Sequence, residues 1–469
     1  MRFQFTSSIL FGLITLAAGC SDSSTNIDTN TESDLQRPKE ATVSAAPRND
    51  TPPANNHPNT IQAESSVKTD IVSQRETNFV TNDTGQDAKP AAGKFDWPHW
   101  RGPSGNGISA ETGLIHEFPE SGPEILWRKT LGTGFSGLTV SGGRLFTMFG
   151  EEGREKLICF DAKTGREIWK IDSDADFAEG RSFGPRSTPC VDGNHVYAMG
   201  ASGKLHCLES ATGKPVWSFN IYDKFEMRRF FDEEGVSCSP LIDGKKLIML
   251  AGIHIFAFDK TNGKVIWKVL EEKMRHSTPA FATFGGHRQL VALTGSNLVG
   301  LDPESGRELW RHPQGGACVA PVVGLGNQIY AAASYGAGGQ LVKIADDTAT
   351  QVYKTNKLST HHATAMLYNG HLYGFHDRPG IFKCLEFATG EEKWVSRSPG
   401  KGKLIIADGQ MIIITEYGEL VLAKPSPNGY SETAKARVVK GTCYTAPTLA
   451  NGKLYIRSDK EMVCIEMKK

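Results

Sequence analysis

Residues 160–169 read FDAKTGREIW, and this arrangement of an acid, a glycine and a tryptophan recurs along the chain. In each copy the acid stands four residues before the glycine, and the tryptophan stands four residues after it. The acid and the glycine suit a tight hairpin, because the carboxylate accepts turn N–H groups and glycine adopts a positive φ. We expect the tryptophan to lie on the outer strand and pack between neighbouring sheets. The other full copies are LESATGKPVW (208–217), FDKTNGKVIW (258–267), LDPESGRELW (301–310) and LEFATGEEKW (385–394).

Weaker copies complete the series. ADDTATQVYK (345–354) places a tyrosine in the tryptophan column, a degenerate stretch ends near Ala436, and one tryptophan precedes the first full copy. Consecutive column positions are about 41 to 50 residues apart, which is the length of one propeller blade. Alternating apolar residues such as VYAM (196–199) predict half-buried strands within each unit. The column consists of Trp127, Trp169, Trp217, Trp267, Trp310, Tyr353, Trp394 and Ala436.

Eight units predict an all-β fold, an eight-bladed β-propeller of four-stranded antiparallel blades that occupies residues 95–469. The last stretch, KLYIRSDKEMVCIEMKK (453–469), contains two strands and no further hairpin arm. These strands need the strand ending at Trp127 to complete a blade, so both termini should close the ring and remove the sheet edges. We expect a single closed domain that acts as a monomer.

The first twenty residues, MRFQFTSSILFGLITLAAGC, combine one positive charge, an apolar run over 9–18 and small residues before Cys20. This pattern predicts a signal peptide, because the run is too short to span a bilayer. The ending resembles a bacterial lipobox, which implies a lipid on Cys20 and a membrane anchor. Simple cleavage without lipidation is the alternative, since Ala17 stands where leucine is usual. Residues 21–94 are rich in Ser, Thr, Asn and Pro, and predict a disordered tether.

The composition limits the classes of partner. The chain has 52 basic and 52 acidic side chains, so its formal net charge is zero. A protein without an excess of positive charge obtains little binding free energy from displacing the counterions of a nucleic acid. We therefore expect no nucleic-acid partner. Its glycines, 50 in all and without a Gly-X-Y period, indicate many turns.

The acid-x-x-x-Gly-x-x-x-Trp repeat resembles the pyrroloquinoline quinone (PQQ) repeat. The opening DWPHWRGPSGNGISAETGL (96–114) is similar to the start of the PQQ-like propeller proteins abundant in planctomycetes. This resemblance implies the propeller fold, but two kinds of function. Alcohol and glucose dehydrogenases of this type use PQQ and Ca²⁺, whereas the propeller lipoprotein of the outer-membrane β-barrel assembly machinery is a scaffold without quinone. Fold alone does not separate them.

The cysteines favour the scaffold. Alcohol-oxidising quinoproteins carry adjacent cysteines over the quinone and often a Cys-x-x-Cys-His haem segment, and this sequence contains neither. Four cysteines instead stand two residues before the repeat acid, where other units have Ala257 and Gly300. We interpret them as small packed residues of one structural position, too far apart to pair with one another. These four are Cys159, Cys207, Cys384 and Cys464.

A ligand would meet a propeller where its inner strands begin, at the mouth of the central channel. The residues just before these starts carry hydrogen-bonding and cationic groups, which could hold an anion. The alternative is that any channel mouth is wet and polar. The predicted ring contains Phe135, Arg186, Ser237, His276, Cys318, His362 and Tyr444, with Arg275, His361 and Lys401 beside it.

Two further features bear on ligand binding. His361 and His362 should face opposite sides if they lie on a regular strand, so we expect no metal site there. The insert YDKFEMRRFFDEEGV (222–236) has the arginine and aromatic content of a binding loop, or is a connector whose rings pack inward.

The sequence names no catalytic residue. It favours an exported, lipid-anchored binding or scaffold module that contacts envelope proteins, with no confidently assigned cofactor. A PQQ- and Ca²⁺-dependent dehydrogenase is the alternative, and a non-catalytic propeller that binds small molecules or polysaccharide is the third hypothesis.

Overall fold

A computed structural model describes residues 94–175, 177–179, 182–228, 235–274, 276–316 and 320–468. These residues form eight four-stranded antiparallel blades. We number the blades in chain order and label their strands A to D from the channel outward. The described helix is one short turn, Ile221–Lys224, and a small hairpin pairs Ala178–Glu179 with Ser182–Phe183. The predicted signal peptide, Cys20 and nearly all of the predicted tether lie outside the described residues.

The first four blades follow one another along the chain, and each pairs its strands in the order A-B-C-D. Blade 1 comprises Thr139–Ser141, Arg144–Glu151, Arg154–Asp161 and Glu167–Ala175. Blade 2 comprises Cys190–Asp192, His195–Met199, Lys204–Glu209 and Pro215–Asn220. Blade 3 comprises Leu241–Asp243, Lys246–Ala251, His254–Asp259 and Val265–Val269. Blade 4 comprises Ala280–Phe284, His287–Leu293, Asn297–Leu301 and Glu308–Pro313.

The remaining blades repeat this order, with two additions from the N-terminal part of the chain. Blade 5 comprises Val323–Leu325, Gln328–Ala333, Gly338–Ala345 and Thr348–Thr355. Blade 6 comprises Met366–Tyr368, His371–Phe375, Phe382–Glu386 and Glu392–Ser396. Blade 7 comprises Gly402–Ala407, Gln410–Thr415, Glu419–Ala423 and Glu432–Arg437, with Ile108–Ser109 added in parallel to strand A. Blade 8 comprises Thr448–Ala450, Lys453–Arg457 and Glu461–Glu466, and its strand D is Ile125–Thr130.

The ring closes as the sequence predicted. Strand D of blade 8 comes from the beginning of the folded region, and its Trp127 stands opposite Cys464 in the last strand. The inner strand of each blade faces the channel and strand D lies on the outer rim, so the eight sheets close into one ring through the packing of neighbouring blades. The prediction of an eight-bladed propeller closed by both termini is therefore confirmed.

The repeat motif joins neighbouring blades. The Asp161 carboxylate accepts the Thr164 N–H at 2.8 Å, and Gly165 adopts φ 67° in the same C–D turn. A Cβ on Gly165 would lie 2.8 Å from the Trp127 ring of the preceding blade, so only glycine fits there without displacement. The Trp127 indole N–H donates to the Ala162 carbonyl at 3.2 Å. The acid shapes the turn, the glycine receives the ring, and the tryptophan bonds across the seam between blades.

The same bond recurs at most seams. The donors are Trp169 to Ser210, Trp217 to Lys260, Trp267 to Pro303, Tyr353 to Phe387 and Trp394 to Ser426, each to the next blade's carbonyl at 2.7–3.3 Å.

Trp310 is the exception among the column residues. Its indole N–H donates to Gln289 of its own blade at 2.6 Å, and a Cβ on Gly300 would lie 2.2 Å from its ring. The next unit, blade 5, lacks the repeat glycine and turns instead through Asp346 and Asp347, both with positive φ. Without the wide turn of the motif, blade 5 offers no equivalent carbonyl acceptor to Trp310.

The cysteine column lies opposite the tryptophan column within each blade. Cys159 pairs in register with Trp169, Cys207 with Trp217, and Cys384 with Trp394. All seven cysteines among the described residues are free and buried, and burial raises the pKa of their thiols. In the part of the chain that the structure describes, no helix has the length and hydropathy needed to cross a membrane.

Candidate functional site: a blind chamber on the ring axis

The central channel contains a cavity of about 340 Å³, which we call the chamber. Its mouth lies on the face where the inner strands begin, and this face also carries the D–A connections and the B–C turns. In each blade the residue two positions after the mouth position turns toward the lumen and forms the chamber wall. The described wall residues are Gly137, Thr188, Ser239, Thr278, Ala320, Thr364, Lys403 and Ala446.

The hydroxyl groups of the wall join the inner strands. Thr188 Oγ1 accepts the Gly137 N–H, Ser239 Oγ accepts the Thr188 N–H, and Thr278 Oγ1 accepts the Ser239 N–H, each at 3.0 Å. Each bond joins one blade to the next. Because Thr188 and Ser239 use their oxygens as acceptors here, their O–H groups remain available as donors.

The N-terminal segment 96–109 closes the far end of the chamber. Trp97 bridges to Val140 of blade 1, the Pro98 carbonyl accepts the Val191 N–H of blade 2, and Ile108 pairs with Ile406 of blade 7. The segment therefore crosses the channel, at the end opposite the mouth. Its chamber-lining residues form the floor: Trp97, Trp100, Arg101 and Gly107.

Arg101 is the charged group of the floor. It is 6% exposed and has φ 64°, a left-handed conformation that is uncommon for a residue other than glycine. One guanidinium nitrogen donates to the Asn106 carbonyl at 2.9 Å and to the Met366 sulfur at 3.4 Å. The other terminal nitrogen, Nη1, is buried without a hydrogen-bond partner. Burial lowers the pKa of Arg101 to about 9.

Lys403 is the charged group of the wall. It lies on strand A of blade 7 and is 6% exposed. Burial, followed by the charge of Lys401, lowers the pKa of Lys403 to about 7, although Glu416 acts in the opposite direction. A lysine held in this way loses its proton near neutral pH unless an anion approaches it.

The predicted mouth residues divide into three groups. Six of them line the chamber: Phe135, Arg186, Ser237, His276, His362 and Tyr444, and His361 lines it with them. Arg275 and Cys318 lie outside the described residues. Lys401 is placed elsewhere: it is absent from the chamber lining and faces Glu416 at 3.7 Å. Lys403, two residues further along the strand, takes the inward position that the sequence analysis missed.

Aromatic rings follow one another along about half of the mouth. Phe135 contacts Tyr444 edge-on with 4.7 Å between centroids, and Tyr444 faces His362 at 6.4 Å. His362 and His361 have centroids only 3.7 Å apart, and His361 is 5.2 Å from Tyr335. The expectation that the two histidines face opposite sides assumed a regular strand and does not apply here, because they lie in a bend before strand A of blade 6.

Electrostatics at the mouth oppose additional positive charge. Burial among protein atoms lowers the pKa of His362, and the neighbouring Lys403, His361 and Lys401 lower it further. His361 lies 3.7 Å from the Asp377 carboxylate. Arg186 donates to the Gly184 carbonyl at 2.7 Å and lies 4.8 Å from the centre of the Phe177 ring. The charged side chains that line the chamber are thus Arg101, Arg186 and Lys403, and all are cations.

The chamber does not match the donor set that PQQ and Ca²⁺ require for alcohol oxidation. Calcium takes carboxylate and carbonyl oxygens, and hydride removal from an alcohol needs a base at the reacting hydroxyl. None of the described lining residues is Asp or Glu. Among the described residues, no three His, Cys, Asp or Glu side chains lie close enough to hold a metal ion. We therefore derive no catalytic step through a quinone.

The insert after blade 2 packs inward as far as the structure describes it. The Asn220 side chain caps the short helix Ile221–Lys224 by accepting the Tyr222 N–H at 3.0 Å. Phe225 lies 4.8 Å from Phe256 of blade 3, ring centre to ring centre. Arg229, Phe230 and Phe231 lie outside the described residues, so their predicted binding role stays a prediction.

The ring, its repeat and the central chamber define the class of PQQ-like propellers. The chain belongs to the family described as outer membrane protein assembly factor BamB, which matches residues 111–180 and 178–396. A comparison with curated protein sequences finds no match.

Solved structures with the same fold come from both branches of this class. BamB from Moraxella catarrhalis has a TM-score of 0.53 and 17% identity, with 74% of this chain and 97% of that chain covered. A quinohemoprotein alcohol dehydrogenase from Comamonas testosteroni has a TM-score of 0.58 and 11% identity, with coverage of 80% and 81%. A europium-containing methanol dehydrogenase has a TM-score of 0.54 and 10% identity, with coverage of 78% and 90%. At these identities the likeness concerns the fold.

Proposed function

We propose that this chain is a non-catalytic binding and scaffold module, exported and held at the cell envelope by a lipid on Cys20. The mouth face would dock an envelope protein. One observation carries the docking proposal: three aromatic side chains that are more than half exposed share this face. They are Phe183 at 57%, Tyr335 at 55% and Tyr417 at 68% exposed. Exposed aromatic residues are enriched among the anchors of protein interfaces.

The surroundings of these rings support the same proposal. The Arg378 guanidinium lies 5.3 Å from the centre of the Tyr335 ring, a pairing of two residue types that are common in interfaces. Tyr335 and Tyr417 occupy B–C turns of blades 5 and 7, on opposite sides of blade 6. Family membership agrees, since the family is described by an assembly factor of the outer membrane.

Site-specific photo-crosslinking tests the docking face. A photoreactive amino acid at Tyr417, in the full chain expressed in its host, should capture a discrete envelope protein. The matched control places it at Val395, which is 47% exposed on strand D of blade 6. Capture from both positions, or from neither, would contradict docking through the mouth face.

The anchor and the dehydrogenase alternative need separate tests. Cys20→Ser should move the protein from the membrane fraction to the soluble envelope fraction, whereas Ser21→Ala should leave it in the membrane. Equal fractionation of the two variants would contradict the lipid anchor. Purified protein supplied with PQQ, Ca²⁺ and an alcohol should not reduce a redox dye. Turnover that is lost on removing PQQ would overturn the non-catalytic assignment.

A further inference from the structure

Lys403 differs from the other strongly buried lysines of the described chain in having no carboxylate beside it. Lys156, Lys246 and Lys383 are 8–9% exposed, and each ammonium group lies 2.5–2.8 Å from an Asp or Glu oxygen. Lys403 is 6% exposed, and none of the described residues gives it an ion pair or a hydrogen bond. This fold therefore neutralises its other described buried lysines by direct ion pairs, whereas the carboxylates of Glu416 and Asp377 act on Lys403 only from beyond ion-pair distance.

Arg101 repeats this pattern on the chamber floor. Its Nη1 group is buried and has no hydrogen-bond partner. The other terminal nitrogen donates to a carbonyl and a thioether, and the guanidinium lies 5.9 Å from the centre of the Trp100 ring, so none of these contacts carries a negative charge. Gly107 adopts φ 77°, and a Cβ there would lie 2.8 Å from Met366, the residue that accepts from Arg101. A non-glycine residue with positive φ that is held by such packing is typical of functional sites.

Two buried cations in one small cavity are costly without an anion. Removing an ammonium or guanidinium group from water costs several kcal/mol even after relaxation, and a neighbouring opposite charge normally offsets that cost. The chamber also offers hydroxyl donors at Thr188 and Ser239, which suit an oxygen-bearing group. The arrangement has charge, donors and a closed end, but the protein supplies no negative partner from the described lining.

We propose that the chamber binds a small organic oxyanion, a carboxylate or a phosphate, whose charged group is held by Arg101 and Lys403. The apolar part of the ligand would lie against Trp97, Trp100 and Met366, which line the same cavity. The volume of about 340 Å³ is at the lower end of small-molecule pockets and limits the ligand to roughly one ring with short substituents. This inference concerns the isolated ring and does not depend on a docked protein or on the anchor.

Calorimetric titration of the purified full chain tests the proposal with four probes. Inorganic phosphate, benzoate and phenyl phosphate carry the oxyanion, and benzyl alcohol is the neutral control. We expect phenyl phosphate or benzoate to bind at least tenfold more tightly than benzyl alcohol, and the preferred one of the two identifies phosphate or carboxylate as the natural group. Equal affinity for benzyl alcohol, or no binding of any oxyanion, overturns the proposal.

Variants assign the binding to the two cations. Lys403→Met should weaken binding of the preferred anion at least tenfold. The control Lys435→Met should leave it within twofold, because Lys435 lies on the outer strand of the same blade, pairs with Glu419 at 3.2 Å and does not line the chamber. Arg101→Gln should weaken it similarly. Since this variant could disturb the floor, the decisive measurement is proton uptake on binding at pH 8 in two buffers of different ionisation enthalpy. Wild type should take up a proton, and Lys403→Met should not. Uptake that persists in Lys403→Met overturns the assignment of Lys403.

Discussion

Arg457 and Lys403 are both buried cations, but their surroundings differ: Arg457 has several hydrogen-bond acceptors, and Lys403 faces the chamber. Arg457 lies where blade 8 meets blade 1 and is surrounded by acceptors of blade 1, including the carbonyls of Ser136 at 3.0 Å and Met148 at 2.7 Å. It also donates to Thr147 Oγ1 at 2.9 Å. Lys403 has no such partner among the described residues and faces the chamber.

The contrast separates stabilisation from binding. At the closure seam a guanidinium satisfies several backbone carbonyls that no strand reaches, so the buried charge contributes to the closure of the ring. In the chamber a buried charge is left unsatisfied, which lowers the stability of the free protein and prepares a site for an anion. Substituting each cation by methionine should therefore change stability with opposite signs.

The largest effect is expected at the seam. Arg457→Met should lower the free energy of unfolding by about 3–5 kcal/mol, because the change leaves buried carbonyl groups without donors. Chemical denaturation measures it. Arg437→Met, on the exposed outer strand of blade 7, is the control and should remain within about 0.5 kcal/mol of wild type. A loss below about 1 kcal/mol in Arg457→Met would show that the seam does not need the arginine.

The next effect has the opposite sign. Lys403→Met should raise the free energy of unfolding of the ligand-free protein by about 1–4 kcal/mol at pH 7, since an unpaired buried amine is replaced by an apolar group of similar length. The folded-state pKa is about 7, below the usual value of 10.5, so the unfolded chain binds more protons between these values. The penalty is thus full below pH 7 and disappears as the pH rises to about 10.5. Destabilisation by Lys403→Met in the absence of anions would remove the basis of the comparison.

The affinity of the chamber for an anion should also depend on pH. An anion raises the pKa of Lys403, so affinity should be highest below about pH 7 and fall by on the order of tenfold per pH unit above it. Other charged or titratable groups that act on Lys403 are Lys401, Glu416, Cys443 and Asp377. Titration of phenyl phosphate between pH 6 and pH 9 measures the slope, and a flat profile in wild type would argue against Lys403.

The smallest effect concerns a single hydroxyl at the blade 5–6 seam. Tyr353 O–H donates to the Phe387 carbonyl at 2.8 Å, so Tyr353→Phe should cost about 0.5–1.5 kcal/mol of stability. Tyr335→Phe is the matched control, because this tyrosine of the same blade is exposed at the mouth and should change stability little. Equal stability of the two variants would mean that the cross-seam bond contributes nothing measurable.

The sequence predicted the fold well because the residues within each copy of the motif determine the local structure of that copy. The acid and glycine define the turn, and the spacing to Trp169 or Trp394 places the ring on the outer strand. Trp310 departed from this rule because its acceptor depends on the next blade, whose turn at Asp346 and Asp347 lacks the motif. The hydrogen-bond partner of a column residue therefore depends on the turn of the following unit and is not evident from its own unit alone.

The candidate site was less predictable. Reading the residue before each inner strand found the mouth group, including Arg186, His276 and Tyr444. Lys403 is not among the predicted residues, because the prediction covered only the mouth position, whereas strand alternation returns a side chain to the lumen two residues further inward. The prediction also missed Arg101, since a floor made by the distant segment 96–109 requires a tertiary contact that no periodicity indicates.

The floor has a consequence for how binding would be transmitted. Arg101 belongs to a segment that is also joined to blades 1, 2 and 7, so an anion on Arg101 would favour the docked segment over any state in which it leaves the channel. By linkage, ligand at 100 times its dissociation constant would add about 2.7 kcal/mol to the docking of the segment. Ligand binding in the chamber would then make residues 96–109 more resistant to proteolysis. These residues lie at the N-terminal edge of the folded ring, on the face opposite the mouth.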